Sequence, residues 1–214
     1  MKQVLMETVS QVKPTVDKKT NEIFFEGIFG LAGKKNLNGR LYPMMVMEKA
    51  VKDYNDNFVN KHRALGELDH PEDASVNLRN AAFVIEKPLT INEKGEVYGK
   101  ARILEDTPMG NIAASLMRQG IVVGLSSRGL GEIAEKEIVN EESGEKEVVN
   151  EVSDFSIASF DLVSEPSIGK FVNPVKKDIN GFPEAVNKPE EKKIEEKTMN
   201  ANTLLGLSKI LFED

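Results

Sequence analysis

Short apolar segments of strand length, separated by glycine, asparagine and proline, dominate the first three quarters of this chain. Only two stretches there have the apolar spacing of a helix. The strand candidates are residues 23–31, 64–68, 80–85, 97–103, 121–127 and 155–163. Mostly apolar runs of this length predict buried β-strands, and the turn-forming Asn92-Glu-Lys-Gly95 predicts a tight connection between two of them. The pattern indicates a fold built around a β-sheet.

The two helical segments have recognisable starts. Pro43 suits the first turn of a helix that runs to about Phe58, and Thr107-Pro108 is a good start for a second helix that Gly120 would cap. The apolar positions are Val46, Ala50, Val51 and Tyr54 in the first helix, and Ile112, Leu116 and Met117 in the second. Their spacing predicts that each helix packs one face on the sheet.

The composition excludes several classes of function. The 214 residues are 40% hydrophobic, enough for one core, and the net charge of −7 argues against a nucleic-acid-binding surface. With no cysteine and two histidines, disulfides and the usual zinc sites are disfavoured, and no cofactor is expected. The first residues lack the apolar centre of a signal peptide, and no run reaches the ~18 apolar residues of a membrane span. We expect a soluble cytosolic protein that does not contact a membrane.

The chain divides by composition into three parts. Residues 1–14 are expected to be a flexible N-terminal segment, residues 15–173 the folded domain, and residues 174–214 a linker with an amphipathic C-terminal tail. The apolar residues of that tail are Leu204, Leu207, Ile210 and Leu211. Within the domain, residues 132–151 contain eight glutamates and two lysines, which predicts a solvent-exposed hairpin or mobile loop.

Two segments have the residues that nucleophilic acyl transfer requires, namely a hydroxyl and a base that takes its proton. His70 lies in the turn-rich Gly66-Glu-Leu-Asp-His-Pro-Glu72, and Ser126 in Val123-Gly-Leu-Ser-Ser-Arg-Gly-Leu130. A histidine in a polar turn is more often structural, and His62 reads as solvated. Ser126 is favoured over Ser127 because alternation along the strand sends the next side chain to the other face.

The residues after Ser126 are candidates for stabilising a tetrahedral oxyanion. Backbone N–H groups of Ser127, Arg128 and Gly129 are suitable donors, as is the guanidinium of Arg128. An equally plausible role for Arg128 is that of a surface cation that offsets the acidic segment.

A third group must accept a hydrogen bond from the other imidazole nitrogen of His70. Asp161 is the first choice, because a carboxylate in the apolar strand Ser159-Phe-Asp-Leu-Val163 needs a partner to offset its desolvation. Asp154 is the alternative, at the edge of the acidic segment.

Four motifs together resemble the prohead core proteases of tailed bacteriophages. They are Asn38-Gly-Arg-Leu-Tyr-Pro43, Gly66-Glu-Leu-Asp-His-Pro71, Gly124-Leu-Ser-Ser-Arg128 and Phe160-Asp-Leu-Val-Ser-Glu-Pro-Ser167. The resemblance implies an α+β fold akin to the herpesvirus capsid-maturation protease: a compact, mostly antiparallel β-barrel flanked by helices, here with a flexible C-terminal tail. It places His70 as the catalytic histidine and Ser126 as the nucleophile. The herpesvirus enzymes have a histidine as third member, whereas no histidine follows His70 in this chain.

The resemblance also implies a role inside the immature capsid. Such a serine endopeptidase cleaves scaffold or core proteins and the major capsid protein within the prohead, which assembles in the host bacterial cytoplasm, and then digests itself. The family tends to cut after glutamate in a Leu/Ile-x-Glu context. Leu5-Met-Glu7 and Ile194-Glu-Glu196 fit, which predicts self-cleavage after Glu7 and Glu196 at accessible chain ends. Ile103-Leu-Glu105 and Leu130-Gly-Glu132 match by spacing as well.

Two other classes of function remain open from the residues alone. A non-enzymatic scaffold or capsid component would use the acidic segment and the C-terminal tail to bind partners. An esterase or acyltransferase is weaker, because Arg128 stands where a Gly-x-Ser-x-Gly elbow has its second glycine. Whether the chain forms a homo-oligomer is not decided by the sequence.

Overall fold

The computed structural model describes residues 1–71, 74–139 and 144–164. Ten strands and two α-helices follow one another along this part of the chain. In order they are β1 (Gln3–Gln11), β2 (Pro14–Val16), β3 (Ile23–Leu31), β4 (Arg40–Leu41), α1 (Met44–Asn57), β5 (Leu65–Leu68), β6 (Ala81–Ile85), β7 (Thr90–Ile91), β8 (Glu96–Ile103), α2 (Pro108–Arg118), β9 (Gly124–Val139) and β10 (Lys146–Val163). Short 3-10 turns at Val59–Lys61 and Leu78–Asn80 complete them. No helix in these ranges is long and apolar enough to cross a membrane.

All ten strands belong to one mixed sheet. Its main path is β1-β9-β10-β5-β6-β8-β3-β2, while β4 pairs with β10 and β7 pairs with β8. The pairs are antiparallel except that β10 runs parallel to β4 and to β5. The expectation of a mostly antiparallel α+β fold is therefore correct.

Strand pairing does not close the sheet into the expected barrel among the described residues. The path ends at β1 on one side and β2 on the other. Strand β1 nevertheless approaches β3, the strand next to β2, since the Ser10 hydroxyl of β1 donates a 2.7 Å hydrogen bond to the Ile28 carbonyl of β3. A side chain, rather than a backbone ladder, thus joins these neighbouring strands.

The N-terminus differs from expectation. Residues 3–11, which were expected to lie in a flexible segment, form β1 and pair antiparallel with β9 from Gln3 to Gln11. Leu5 is almost completely buried in the core. The physical reason is that β9 offers an open edge of backbone groups, which a segment of modest hydrophobicity pairs with once the sheet exists.

The described parts of the acidic segment 132–151 are two antiparallel strands. Residues 132–139 continue β9 and pair with residues 146–153 of β10, and most side chains of this part of β9 are exposed. Of the two alternatives for this segment, the hairpin is therefore correct over the described strands.

Both helices pack on the sheet close to where they were expected. Helix α1 follows Pro43 and buries Met47, Ala50, Val51 and Tyr54. Helix α2 is capped by Thr107, whose hydroxyl accepts from the Gly110 N–H. Its buried face agrees with the prediction at Met117 but not at the other two positions: Ile112 is exposed and Leu116 half-buried, and Ala113 and Ala114 are buried instead. Small alanines allow the close approach to the sheet that larger residues would prevent.

An aromatic cluster fixes the centre of β10 against α1. The Phe160 ring packs edge-on against Tyr54 of α1 and Phe29 of β3. Because successive side chains of a strand alternate, Asp161 is directed to the opposite face of β10. The apolar packing of one face thereby sets the orientation of a carboxylate on the other.

Candidate active site

His70 and Asp161 are joined directly. The Nδ1 atom of His70 lies 2.9 Å from Oδ2 of Asp161. The imidazole is about one quarter exposed, whereas the carboxylate is fully buried. A buried carboxylate bonded to one ring nitrogen holds the imidazole in a single tautomer and leaves the other nitrogen available.

The parallel pairing of β5 with β10 brings these two residues together. Glu67 of β5 is in register with Asp161, so the chain leaving β5 reaches His70 three residues later. The N–H of Asp69 donates to the carbonyl of Leu162 at 2.7 Å, which keeps the segment against β10. Asp69 itself has a positive φ of 69°, and its carboxylate accepts from the backbone of His70 rather than from the ring.

Ser126 lies directly opposite Asp161 in the antiparallel ladder between β9 and β10. Side chains at paired positions project from the same face of a sheet, so the Ser126 hydroxyl is on the face that contains the His70–Asp161 pair. Ser127 is paired with Phe160 and faces the other way, as the alternation predicted. Geometry therefore distinguishes the two serines.

The Ser126 hydroxyl has no hydrogen-bond partner within the described part of the chain, although the residue is fully buried. A buried hydroxyl without a partner is uncommon in native proteins. The structure thus brings His70 and Asp161 into contact and places Ser126 on the same face, but it contains no hydrogen bond between His70 and Ser126.

Arg128 is completely buried and holds Asp161 from the other side. Its Nε donates to Oδ2 of Asp161 at 2.9 Å, and one terminal nitrogen reaches Oδ1 at 3.1 Å. The same nitrogen donates to Glu67 at 2.9 Å, and the other donates to the carbonyl of Ser75 at 2.9 Å. Burial acts to lower the pKa of Arg128, but bonds to Asp161 and Glu67 outweigh it and raise that pKa above its usual value.

Both sequence-based interpretations of the Arg128 side chain are consequently wrong for this structure. A guanidinium engaged with two carboxylates and a carbonyl is neither a surface cation nor free to bind an oxyanion. Its backbone and those of Ser127 and Gly129 lie inside β9, between β1 and β10. Gly129 is also a packing residue, since a Cβ there would lie 2.4 Å from the ring of Phe155.

Glu67 was missed by the sequence reasoning. Its fully buried carboxylate accepts from Arg128, from the N–H of Asn77 at 2.9 Å and from the Asn80 amide at 3.2 Å. The available signal was the one used for Asp161: a carboxylate within a short apolar strand, here Leu65-Gly-Glu-Leu68. These bonds connect the segment after His70 to the base of the site.

The remaining candidates lie elsewhere. Asp154, the alternative third residue, is exposed and forms an ion pair with Lys2 at 2.8 Å, so it does not contact His70. His62 is exposed, as expected. Glu196 is outside the described residues. In the described ranges no cluster of histidine, cysteine, aspartate and glutamate is suited to hold a metal ion.

Glu7 is not at an accessible chain end. It lies in β1, is 6% exposed, and is opposite Ser127, while the next residue, Thr8, is opposite Ser126. The accessibility argument for cleavage after Glu7 is therefore wrong. The Glu7–Thr8 peptide bond instead lies alongside β9, the strand that contains Ser126. A register shift between Thr8 and Ser10 follows just beyond this bond.

Comparisons with known proteins agree on one family. The family model described as prohead core protein serine protease matches residues 3–180 of the chain. The prohead core protein protease of Enterobacteria phage T4 is 44% identical over 124 residues, which span 56% of this chain and 58% of that protein. The solved structure of the bacteriophage T4 capsid assembly protease superposes with a TM-score of 0.64 at 34% identity, over 77% of this chain and 99% of that one.

Proposed function

The chain belongs to the prohead core protein serine protease family, and from this premise we propose that it is a serine endopeptidase with Ser126 as nucleophile. The observation that carries the proposal is the shared face of three residues: His70 is bonded to Asp161, and Asp161 is the direct ladder partner of Ser126. Arg128 and Glu67 hold the buried carboxylate in place.

The chemistry follows from which nitrogen of His70 is occupied. Asp161 accepts the Nδ1–H, so Nε2 accepts the proton of the Ser126 hydroxyl as the oxygen attacks the scissile carbonyl carbon. The protonated imidazole then donates that proton to the leaving amine as the C–N bond breaks. Water hydrolyses the resulting ester with His70 again acting as base. A rearrangement that forms the Ser126–His70 hydrogen bond must precede attack, because the Ser126 hydroxyl has no hydrogen-bond partner in the described part of the chain.

We further propose that the first bond cut is Glu7–Thr8 of the chain itself. Glu7 and Thr8 are paired with Ser127 and Ser126, so the bond runs beside the nucleophile's own backbone. The extra residue between Thr8 and Ser10 interrupts the ladder there, and such a bulge bends a strand and re-aims its groups. The described state is then the precursor, with the first substrate already docked.

Loss of residues 1–7 would uncover the edge of β9 next to Ser126. A substrate segment then adds to that edge as a strand, using the backbone groups that β1 occupies before cleavage. Leu5 indicates which side chain is preferred two residues before the glutamate. A Cβ added at Gly131 would lie only 2.9 Å from Cδ1 of Leu5, so this apolar side chain packs closely over the glycine. This supports cleavage in a Leu/Ile-x-Glu context.

The proposed substrates are the scaffold or core proteins and the major capsid protein inside the prohead, with a second self-cleavage after Glu196. Family membership and the likeness to the T4 capsid assembly protease support this assignment. We also propose a herpesvirus-protease-like architecture, supported by the approach of β1 to β3 at Ser10.

Incubation of the purified full-length chain tests the proposal. By intact mass and N-terminal sequencing, the wild-type chain should lose residues 1–7 and acquire Thr8 as its new N-terminus. Ser126→Ala should stay intact, while Ser115→Ala, on the exposed side of α2, should be processed like the wild type. Trimming of the Ser126→Ala chain at the wild-type rate would exclude Ser126 as nucleophile, and a stable wild-type chain would favour a non-enzymatic scaffold component.

A further inference from the structure

A cradle of four donors surrounds the buried carboxylate of Glu7. Its Oε1 accepts from Nη1 of Arg40 at 2.7 Å and from the Tyr42 hydroxyl at 2.8 Å. Its Oε2 accepts from the side-chain amides of Asn36 at 2.8 Å and Asn38 at 2.6 Å. The four residues lie within seven positions of one another, and three of them belong to the motif 38–43 that the catalytic mechanism does not use.

The loop that presents these donors is fixed by its own hydrogen bonds. The Oδ1 atom of Asn36 accepts from the backbone N–H of Asn38 at 3.0 Å and of Arg40 at 2.9 Å. Gly39 supplies the positive φ of 72° that the turn requires. Since the Asn36 oxygen is already occupied by the loop, its NH₂ group is the one that faces Glu7. The cradle is therefore preorganised as a set of donors.

Two cradle side chains also contact the backbone before Glu7. Nδ2 of Asn38 and Nη1 of Arg40 each lie 3.4 Å from the carbonyl oxygen of Met6. The loop thus meets both the side chain of Glu7 and the main chain just before the Glu7–Thr8 bond, which runs beside the backbone of Ser126 in the ladder. Contact with side chain and main chain together is what positions a peptide for cleavage.

The donor set discriminates among side chains by chemistry. Glutamate is acceptor-only, whereas the NH₂ of a glutamine would face donors on either branch of the cradle. Aspartate is shorter by one methylene and would leave donors of the cradle unpaired, among them the buried hydroxyl of Tyr42. Burial and then the charge of Glu7 raise the pKa of Tyr42, so its phenol keeps the proton that it donates. A site built from such groups rejects a mismatched side chain strongly.

We propose that Asn36, Asn38, Arg40 and Tyr42 form the subsite that selects glutamate at the residue preceding the cleaved bond. This inference rests on the proposed function, because it takes Glu7 as the first occupant of the site. After self-cleavage the loop remains in place and the vacated cradle receives a glutamate of the next substrate. The competing explanation is that the cradle only anchors β1, a role that ends once residues 1–7 have gone.

Two self-trimmed enzymes separate these explanations. The first is the wild type, and the second is Glu7→Gln/Asn38→Asp, in which a new acceptor faces the glutamine amide. Each is given two peptides with the sequence of residues 3–11 that differ only by Glu or Gln at position 7. We expect wild type to favour the Glu peptide by ~100-fold or more in kcat/KM, and the double variant to lower that ratio by at least ~10-fold. Asn111→Asp, which adds the same charge on an exposed part of α2, should keep the wild-type ratio.

Each outcome has a distinct meaning. If the double variant keeps the wild-type ratio of kcat/KM for the Glu and Gln peptides, the cradle is only an anchor. The same conclusion follows if the double variant folds but does not trim itself, while the Glu7→Gln chain trims normally. Circular dichroism establishes folding in each case. If wild type cuts neither peptide nor itself, the proposed function fails and the subsite with it, a result that differs from a working protease without Glu preference.

Discussion

Ser126 of β9 and Asp161 of β10 are direct partners in an antiparallel ladder, so the proposed nucleophile and the carboxylate that holds the histidine have a spacing fixed by the sheet itself. His70 is the only one of the three that comes from outside these two strands. Rigid elements position functional groups more closely than loops do. The site should therefore be sensitive to changes that move β5, which leads to His70, and to changes at Asp161.

Replacement of Asp161 by Asn should reduce peptide cleavage by ~10⁴-fold, because the amide no longer enforces the imidazole tautomer that leaves Nε2 as base. Single-turnover rates of self-trimming measure the effect. Asp154→Asn is the matched control, since Asp154 is exposed and bonded to Lys2, and its rate should equal that of the wild type. Comparable losses in both variants would contradict the assignment of Asp161.

Loss of the Arg128 guanidinium should destabilise the fold strongly. Arg128→Met leaves Glu67 and Asp161 buried as uncompensated charges, which typically decreases the free energy of unfolding by ~3–5 kcal/mol. Urea unfolding in a Ser126→Ala background, which prevents self-cleavage, gives the value. Arg118→Met removes a partly exposed ion pair with Glu105 and should change the free energy of unfolding by less than ~1 kcal/mol. If both substitutions lowered the free energy of unfolding equally, the buried contacts of Arg128 with Glu67 and Asp161 would not be important for stability.

Gly66 should not tolerate a side chain. A Cβ at this position would lie 2.0 Å from Cζ of Phe83, so Gly66→Ala must displace β5 from β6 or move the ring. We expect destabilisation of at least ~1–3 kcal/mol and slower cleavage, because β5 sets the position of His70. Phe83→Leu in the same chain should recover part of the lost stability. A Gly66→Ala chain with wild-type melting temperature and rate would show that the close packing is not needed.

The two residues before Glu7 should differ in their influence on self-trimming. Leu5 is buried over Gly131, whereas Met6 is only half-buried. Leu5→Ala should slow the appearance of the Thr8 N-terminus by ~10-fold or more, because burying a leucine contributes ~1.5–3 kcal/mol to docking, and Met6→Ala should have a much smaller effect. Mass spectrometry over time compares the two chains. Equal slowing would indicate that the strand as a whole, not the apolar residue at position 5, governs docking.

The parts of the site that were predictable from the sequence are those with a local signal. Asp161 stands out as a charge in an apolar strand, and Ser126 was separated from Ser127 by strand alternation alone. Glu67 has the same signal, a carboxylate within a short apolar strand, but the sequence alone did not identify it as a site residue. Its significance depends on Arg128, which is 61 residues away in the chain and reaches it only through the pairing of β5, β10 and β9.

The N-terminal strand and the cradle were not predictable in the same way. Met1-Lys-Gln-Val-Leu-Met-Glu7 is short and partly polar, and its strand conformation depends on an edge of β9 formed more than a hundred residues later. The composition of these residues predicts a flexible segment, because they contain no local signal for a strand. The motif 38–43 was noticed for its resemblance, but its role depends on the buried position of Glu7.

Strand β1 is part of the same molecule as the edge of β9 that it covers, and under the proposed function this would determine how that edge becomes available to a substrate. While the chain is continuous, the docked segment is present at an effective concentration in the millimolar range and outcompetes other peptides. Hydrolysis of the Glu7–Thr8 bond would convert the part of β1 that precedes this bond into a separate peptide that is diluted by diffusion. Onset of activity would thus be a one-way event for each molecule, and its timing would depend on a single intramolecular reaction rather than on a reversible inhibitor.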